Sequence, residues 1–535
     1  MPVLAGARLE LVADREHMTL DEFKVTGRDA ADLASYGMAD TGEVAWERIQ
    51  RGIDYSSFLS GPVNITVEER GPVRAVLRVE RAAEKTEGDV GFVARIYAYA
   101  GKKYLRVEFT LESYEQFIPV PAEPSYQAIC NSKHIREFSY RLRLYESADA
   151  IKFGGSDGAL QAEARAGLAL QQLEPGAFSV RDAAGAVIAE ADRAPGWMTA
   201  DFGSHSVGLA TKWFWETAPK VLGYDAGAGE MSLELWPEDA PGSGYPIPAG
   251  RVKTYEFMLG VDTPGPELSA IARAELRAYP DPEYVTSTGA THRFVPLADR
   301  RFSKQADYVR NTRDQAEAAR LYGDIDFGDQ IGWNADERWN GYHGTTHEWF
   351  VFYLASGEPE LFRIAEQETW HSIDVDTQHW GYMPGCREAE YARKHDHVCP
   401  RPIQGGIKVW SFGEVDYYFL TGRRRVLESI KRNAQFLLNC GGVVNHVFTP
   451  ERATSLPFLH LAYIYEAIGD EAALAEAYPG AMEPGAGARR NDSIGAEESA
   501  AYLGTLKEIS DHFNGVYDRG EHIQSSFLAS YPAEA

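Results

Sequence analysis

Alternating apolar and polar residues recur along roughly the first half of the chain and predict β-structure. The clearest runs are 63–68 and 105–112. A period of two places successive side chains on opposite faces of a strand, so that one face can meet a core. The second run follows the strand-like segment 93–99 across a polar turn at 101–103, which predicts a β-hairpin. Further strands are expected at 73–80, 135–145, 206–216, 230–236 and 251–260.

Turn-forming residues separate these runs, and no helical pattern lies between them. Many strands joined by turns, without crossover helices, are typical of two antiparallel sheets packed face to face. We therefore predict a multidomain β + α protein whose first domain, residues 1–290, is an antiparallel β-sandwich (supersandwich).

The apolar spacing changes to that of helices near residue 300, first at 303–321. A motif then recurs in which one amphipathic helix ends on a glycine and a second helix begins a few residues later. The glycines are Gly357, Gly422 and Gly469. Such αα-hairpins arranged in a ring form an α/α-toroid. The sequence thus predicts an incomplete α/α-toroid as a catalytic domain over 300–535, with an irregular helical bundle as the alternative.

The charge and the hydropathy of the chain exclude some classes of partner. The formal net charge is −26 at pH 7, and such a surface repels phosphate backbones, so we expect no nucleic-acid partner. No stretch approaches the length of about 18 apolar residues that crosses a membrane, so we expect no membrane partner. The first residues do not read as a signal peptide, which favours a cytoplasmic location. A secreted protein whose signal had been removed would look the same.

Histidine, aspartate and aromatic residues are concentrated between the predicted helices. Of the 14 histidines, six lie between residues 343 and 397, far more than an even distribution would place there. They are His343, His347, His371, His379, His395 and His397. Because loops on one rim of a rigid scaffold commonly carry catalytic groups, we expect a catalytic cleft in this region.

Two chemistries could use carboxylates from this region. A divalent metal such as calcium could be held by His371, Asp374 and Asp376, and the segment 324–329 resembles part of a calcium loop without its closing glutamate. Glycoside hydrolysis needs two carboxylates on opposite sides of the bond, and Glu414 and Asp376 are the candidates. The sequence leaves both chemistries open.

β-Elimination next to a uronic acid is a third chemistry. It needs a base that removes the C5 proton, an acid that protonates the leaving oxygen, and groups that stabilise the charge of the intermediate. The candidate bases are Tyr342, His343, His379 and His395, the candidate acid is Tyr391, and the candidate stabilisers are Asn334 and Arg387. Candidates for substrate binding are Trp333, Trp339, His347, Trp380, Trp410 and Glu414.

Several motifs, in order over residues 60–470, resemble the rhamnogalacturonan exolyase-like polysaccharide lyases. In the helical half they are 333–334, 353–357, 371–379, His395 with His397, 409–414 and 417–422, and in the sandwich half they are 212–220, 235–237 and 249–254. The resemblance implies a β-sandwich plus α/α-toroid lyase that cleaves by elimination next to galacturonate or a related uronic acid.

The leading hypothesis is therefore an exo-acting lyase whose partner is an acidic polysaccharide or oligosaccharide. Elimination requires no cofactor, although a divalent metal such as calcium is possible. A glycoside hydrolase on the same scaffold and a non-catalytic glycan-binding protein are the alternatives.

Overall fold

A computed structural model of the chain describes part of its length. The described residues are 7–13, 63–81, 90–114, 118–119, 128–129, 133–155, 158–163, 167–241, 245–247, 250–273, 281–288, 296, 307, 311, 314, 321–331, 338–339, 344–380, 409–438, 456, 459–461, 463–464 and 467.

Strands dominate the first half of the chain. In chain order they are Ala7–Ala13 (β1), Val63–Arg70 (β2), Arg74–Arg81 (β3), Val90–Tyr99 (β4), Tyr104–Ser113 (β5), Ile118–Pro119 (β6), Ala128–Ile129 (β7), Lys133–Arg143 (β8), Ala150–Gly155 (β9), Gly158–Glu163 (β10), Leu168–Glu174 (β11), Ala177–Asp182 (β12), Val187–Ala191 (β13), Trp197–Asp201 (β14), Ser206–Thr211 (β15), Lys220–Asp225 (β16), Glu230–Trp236 (β17), Tyr245–Ile247 (β18), Val252–Val261 (β19), Gln330–Ile331 (β20) and Arg338–Trp339 (β21).

Two large sheets contain most of these strands. One has the order β1-β8-β17-β16-β11-β12-β13, with β18 also paired to β8. The other has the order β10-β9-β14-β15-β19-β5-β4-β3-β2. Neighbouring strands pair antiparallel, as between β5 and β19 or between β8 and β17. The prediction of an antiparallel β-sandwich is confirmed.

Aromatic side chains join the two sheets in the core of the sandwich. Phe138 of β8 lies 5.4 Å from Phe109 of β5 and 5.7 Å from Tyr255 of β19, measured between ring centroids. Tyr140 of β8 lies 4.7 Å from Phe257 of β19. Because alternate residues of each strand point inward, these rings interdigitate between the sheets and remove apolar surface from water.

Two strand predictions need correction. The run 206–216 is a strand only as far as Thr211, since the chain then turns and Trp213 adopts a φ of 55°. The expected burial of one face is wrong at β2, where Ile65 is 62% exposed and its neighbours Val63 and Val67 are also exposed. Among the described strands, β2 lies at the end of its sheet.

Helices follow in the second half of the chain. They are Gly265–Arg273 (α1), Pro282–Thr288 (α2), Thr345–Ser356 (α3), Pro359–His371 (α4), Phe412–Thr421 (α5) and Arg424–Leu438 (α6), and the π-helical segment Ser372–Asp376 continues α4. None of the described helices is long and apolar enough to cross a membrane.

Two of the predicted αα-hairpins are confirmed. Gly357 follows α3 with a φ of 74°, and Gly422 follows α5 with a φ of 64°. The N–H of each glycine donates to a carbonyl four residues earlier, as expected of a left-handed residue that closes a helix. The third glycine, Gly469, lies outside the described residues, and the toroid stays a prediction.

The chain divides into two compact units. The sandwich unit comprises 1–115, 130–278 and 322–327, and the helical unit comprises 116–129, 279–321 and 328–535. The predicted domains, 1–290 and 300–535, stay a prediction. The segment 322–327 is grouped with the sandwich although it lies in the sequence between two segments of the helical unit.

Candidate functional site

Helices α3 and α5 of the helical unit approach each other closely at a glycine. A Cβ atom on Gly413 would lie 2.5 Å from the Cβ of Thr346, so a larger residue does not fit without a shift. The next residue along α3, His347, reaches Asp416 on α5. The imidazole Nδ1 and the carboxylate Oδ2 are 2.5 Å apart.

The His347–Asp416 pair is partly open to solvent, with side-chain exposures of 19% and 16%. The rings of Phe412 and Tyr463 stand edge-on to the imidazole at centroid distances of 6.2 Å and 5.9 Å. When Nδ1 donates to the carboxylate, the basic lone pair lies on Nε2. An oriented and accessible imidazole of this kind can accept a proton from a bound substrate.

A second histidine, His371, ends α4 in the interior. Its Nε2 lies 3.1 Å from Asp329 Oδ1 and 3.4 Å from Asp376 Oδ1, and all three side chains are fully buried. Burial alone lowers the pKa of this imidazole, but the two carboxylates together raise it to about 9. His371 is therefore a buried cation held between two anions at neutral pH.

The π-helical segment that follows α4 contains a buried carboxylate, Asp374. Asp374 accepts a hydrogen bond from the Arg425 guanidinium at 3.3 Å, and Arg425 also reaches the carbonyl of Ile373. His379 Nε2 lies 2.5 Å from the same carbonyl. A π-helical turn directs its carbonyls away from the regular α pattern, which leaves the Ile373 oxygen available to these side chains. His379, a predicted base, is buried in this arrangement.

The three residues predicted to bind a metal are engaged by other side chains in this structure, and the metal site stays a prediction. Asp374 is engaged by Arg425, while His371 Nε2 lies between the carboxylates of Asp329 and Asp376. Among the described residues, no group of three or more His, Cys, Asp or Glu side chains is arranged to hold a metal ion.

Two predicted substrate-binding residues lie in the interior of the helical unit. Glu414 is buried and accepts a hydrogen bond from Asn433 Nδ2 at 3.1 Å. Trp410 is also buried, and its ring stands edge-on to His460 at 5.4 Å. Trp380, by contrast, is half-buried. Among the side chains of this set that the structure describes, His347 and Trp380 are half-buried and Trp410 and Glu414 are buried.

Most of the remaining predicted site residues lie outside the described residues. They are Trp333, Asn334, Tyr342, His343, Arg387, Tyr391 and His395. Trp339 belongs to β21, where it pairs with Gln330, and the structure describes its backbone alone.

Sequence reasoning missed two charged residues of the helical unit. Asp416 lies within α5, a helix otherwise composed mainly of apolar and aromatic residues, and Arg425 lies buried on α6. A charge on a mostly apolar helix such as α5 is a usable signal, because covering it requires a partner. The partners, His347 and Asp374, could not be assigned from spacing because each lies more than fifty residues away.

Part of the sandwich unit is similar in sequence to a known family of domains. Residues 13–116 match the family model described as the PcRGLX-like protein central beta sandwich domain. This match covers the region of β2 to β5 and indicates a carbohydrate-active protein with a rhamnogalacturonan lyase-like domain. No curated protein is significantly similar in sequence.

Several solved structures are distantly similar to this chain. A TPR-domain containing protein from Parabacteroides distasonis aligns at a TM-score of 0.26 and 10% identity over 89% of this chain and 72% of its own. The Slr1438 protein from Synechocystis sp. PCC 6803 aligns at 0.23 and 9% identity over 38% of this chain and 66% of its own, slightly less than two thirds. The galactose mutarotase related enzyme from Lactobacillus acidophilus aligns at 0.21 and 11% identity, over 41% and 74%. Scores this low support no inference.

Proposed function

We propose that this protein is an exo-acting polysaccharide or oligosaccharide lyase that cleaves a glycosidic bond next to a uronic acid by β-elimination. The observation that carries the proposal is the His347–Asp416 pair, an accessible imidazole held by a carboxylate at 2.5 Å. The match of residues 13–116 to a rhamnogalacturonan lyase-like domain supports the substrate class.

His347 is the proposed base. Its Nε2 removes the C5 proton of the uronate, the electrons of that C–H bond form a C4–C5 double bond, and the C4–O bond to the neighbouring sugar breaks. The leaving oxygen takes a proton from an acid. Asp416 holds the ring in one tautomer and stabilises the imidazolium that forms, which is the usual role of a carboxylate behind a catalytic histidine.

The acid and the charge-stabilising groups of the proposed reaction are residues predicted from the sequence. Tyr391 is the proposed acid, and Asn334 with Arg387 are the proposed stabilisers of the charge on the uronate carboxylate. Tyr342 and His343 are alternative bases. They lie within five residues of His347 in the sequence, so substitution must decide among the three.

The hydrolase alternative has less support from the described residues. Its two candidate carboxylates, Glu414 and Asp376, are both buried and already engaged, the first by Asn433 and the second by His371. A hydrolytic pair must reach opposite sides of a sugar bond. These two positions therefore do not favour hydrolysis.

The direct test is to incubate the protein with rhamnogalacturonan, with other uronate polymers and with their oligosaccharides, each with and without a chelator. The expected result is growth of the ultraviolet band of an unsaturated uronate. Loss of that band with chelator would show that the reaction uses a divalent metal. Reducing sugar released without the band would replace the proposal with hydrolysis, and binding without either product would leave a glycan-binding protein.

A pair of matched variants tests the base. His347→Gln removes the basic nitrogen, and we expect turnover to fall by about a hundredfold or more. His205→Gln makes the same change at a histidine of the sandwich unit and should leave turnover near the unsubstituted rate. If His347→Gln retains full activity while Tyr342→Phe or His343→Gln does not, the base must be reassigned within the lyase.

A further inference from the structure

The guanidinium of an exposed arginine lies over one aromatic ring and beside a second at the surface of the sandwich unit. The guanidinium carbon of Arg193 is 3.9 Å from the ring centroid of Trp215 and 5.6 Å from that of Tyr322. The two rings lie 4.9 Å apart, and both are half-buried. Within the described part of the chain, no carboxylate forms an ion pair with Arg193.

A buried side chain fixes the backbone on both sides of this arginine. The carboxamide of Gln172, which has no exposure, donates to the carbonyl of Asp192 at 3.2 Å and accepts from the N–H of Ala194 at 2.9 Å. Arg193 is the residue between these two contacts. A buried polar group satisfied in this way holds a surface loop in one conformation.

The turn that carries Trp215 is held in an uncommon conformation. Trp213 has a φ of 55°, in the left-handed region that bulky side chains rarely adopt. Its carbonyl accepts two hydrogen bonds from Thr217, from the N–H at 3.0 Å and from the hydroxyl at 2.5 Å. Local strain of this kind persists only where the surrounding structure imposes it, and it is concentrated at functional sites.

The segment that carries Tyr322 is anchored by a buried carboxylate two residues later. Asp324 accepts hydrogen bonds from Lys220 Nζ at 2.8 Å and from the Tyr255 hydroxyl at 2.9 Å, and its carbonyl accepts one from Lys253. The three chain segments that carry Arg193, Trp215 and Tyr322 are thus each held in place by hydrogen bonds. Together they place the arginine beside the two rings at the surface.

This arrangement suits one chemical class of ligand. A guanidinium held over a ring keeps its N–H groups at its own edge, in its own plane, where a carboxylate can accept two of them. Ring edges beside it can contact the apolar C–H groups of a sugar. On a chain with a net charge of −26, a local cation is also what an acidic ligand needs.

We propose that Arg193, Trp215 and Tyr322 form a binding site for a uronate unit of an acidic glycan, with the sugar carboxylate on the outer edge of the Arg193 guanidinium. The ligand class rests on the proposed function. The site itself rests on the geometry of the sandwich unit.

The test measures binding at this position alone. Trigalacturonate and maltotriose, a neutral trisaccharide, are titrated into the full chain carrying His347→Gln, so that the sugar is not consumed. The indole N–H resonance of Trp215 in nuclear magnetic resonance, identified by its loss in Trp215→Phe, reports the site. We expect trigalacturonate to shift this resonance and maltotriose to leave it unchanged.

Three variants complete the test. Arg193→Ala should lower the affinity reported by this resonance about tenfold, because a charge-assisted pair is lost. Arg193→Lys should give an intermediate loss, since it keeps the charge but not the planar fork. Arg70→Ala removes another exposed arginine of the same unit and should match the protein without the change.

Equal affinities for Arg193→Ala and Arg70→Ala, no shift with trigalacturonate, or an equal shift with maltotriose would overturn the site. The result of the binding test can be distinguished from the result of the test for β-elimination. If binding depends on Arg193 but the protein without the His347→Gln change forms no unsaturated uronate, the site is retained and the elimination is rejected. If the protein forms unsaturated uronate but Arg193→Ala binds trigalacturonate as before, the elimination is retained and the site is rejected.

Discussion

The Nδ1 atom of His347 on α3 lies 2.5 Å from the carboxylate Oδ2 of Asp416 on α5. The contact joins the first helices of two successive αα-hairpins and orients an imidazole that is partly open to solvent. A pair of this kind gives one tautomer and one ring position, so its function depends on the carboxylate as much as on the histidine.

The first prediction concerns that carboxylate. Asp416→Asn keeps the shape of the side chain but removes the charge that stabilises the imidazolium. We expect kcat for unsaturated uronate formation to fall by about tenfold to a hundredfold with a smaller change in KM. Asp201→Asn, at a surface carboxylate of the sandwich unit, is the control. An unchanged kcat in Asp416→Asn would remove Asp416 from the mechanism.

The second prediction concerns the pH dependence of stability. The folded-state pKa of His371 is about 9, above the ordinary value of 6.5, because Asp329 and Asp376 outweigh the effect of burial. A raised pKa stabilises the folded state fully below the unfolded pKa, and this contribution is lost as the pH rises toward the folded pKa.

The free energy of unfolding should therefore fall between pH 6.5 and about 9, by about 3 kcal/mol from this residue. Urea denaturation followed by tryptophan fluorescence at a series of pH values measures the slope. In His371→Gln the additional slope should disappear. If both proteins lose stability equally over this range, the imidazole is not a buried cation.

The third prediction concerns the contact between α3 and α5. In Gly413→Ala the new methyl group meets Thr346 at 2.5 Å and the His347 N–H nitrogen at 3.0 Å, so the helices must move apart. We expect a loss of about 1–3 kcal/mol in unfolding free energy and reduced turnover. Gly176→Ala, where a Cβ meets nothing within 4 Å, is the control. Equal melting temperatures for the two variants would show that the helices are not in contact here.

The fourth prediction contrasts a buried with an exposed ion pair in the sandwich unit. Burial lowers the pKa of the Lys220 ammonium, and Asp324 counteracts this shift. Asp324→Asn leaves that cation in the interior without its counter-charge and should cost about 3–5 kcal/mol of unfolding free energy.

The comparison is Asp201→Asn, which breaks a pair with the partly exposed Lys152 at 2.6 Å. An exposed pair contributes only about 0–1 kcal/mol. Chemical denaturation of the two variants should therefore separate them clearly. A loss of similar size in both would mean that Asp324 does not neutralise a buried charge.

Much of the sandwich could be predicted from the sequence because strand patterns are local. The alternation in 63–68 and 105–112 correctly identified β2 and β5, and the polar turn at 101–103 correctly identified the hairpin between β4 and β5. The same alternation could not reveal that Ile65 stays exposed, because burial depends on what the other sheet covers. Nor could it reveal the turn at Trp213, where tertiary contacts impose a conformation that the residue alone disfavours.

The sequence by itself determined several of the elements: strands such as β2 and β5 from a period of two, and helix ends from glycines such as Gly357 and Gly422, whose left-handed conformation is a local property. Only the tertiary structure decided which charges meet. Asp416 lies 69 residues from His347, and Asp324 lies 104 residues from Lys220. The physical reason is that a buried charge needs a partner, while the identity of the partner depends on how the helices and sheets pack.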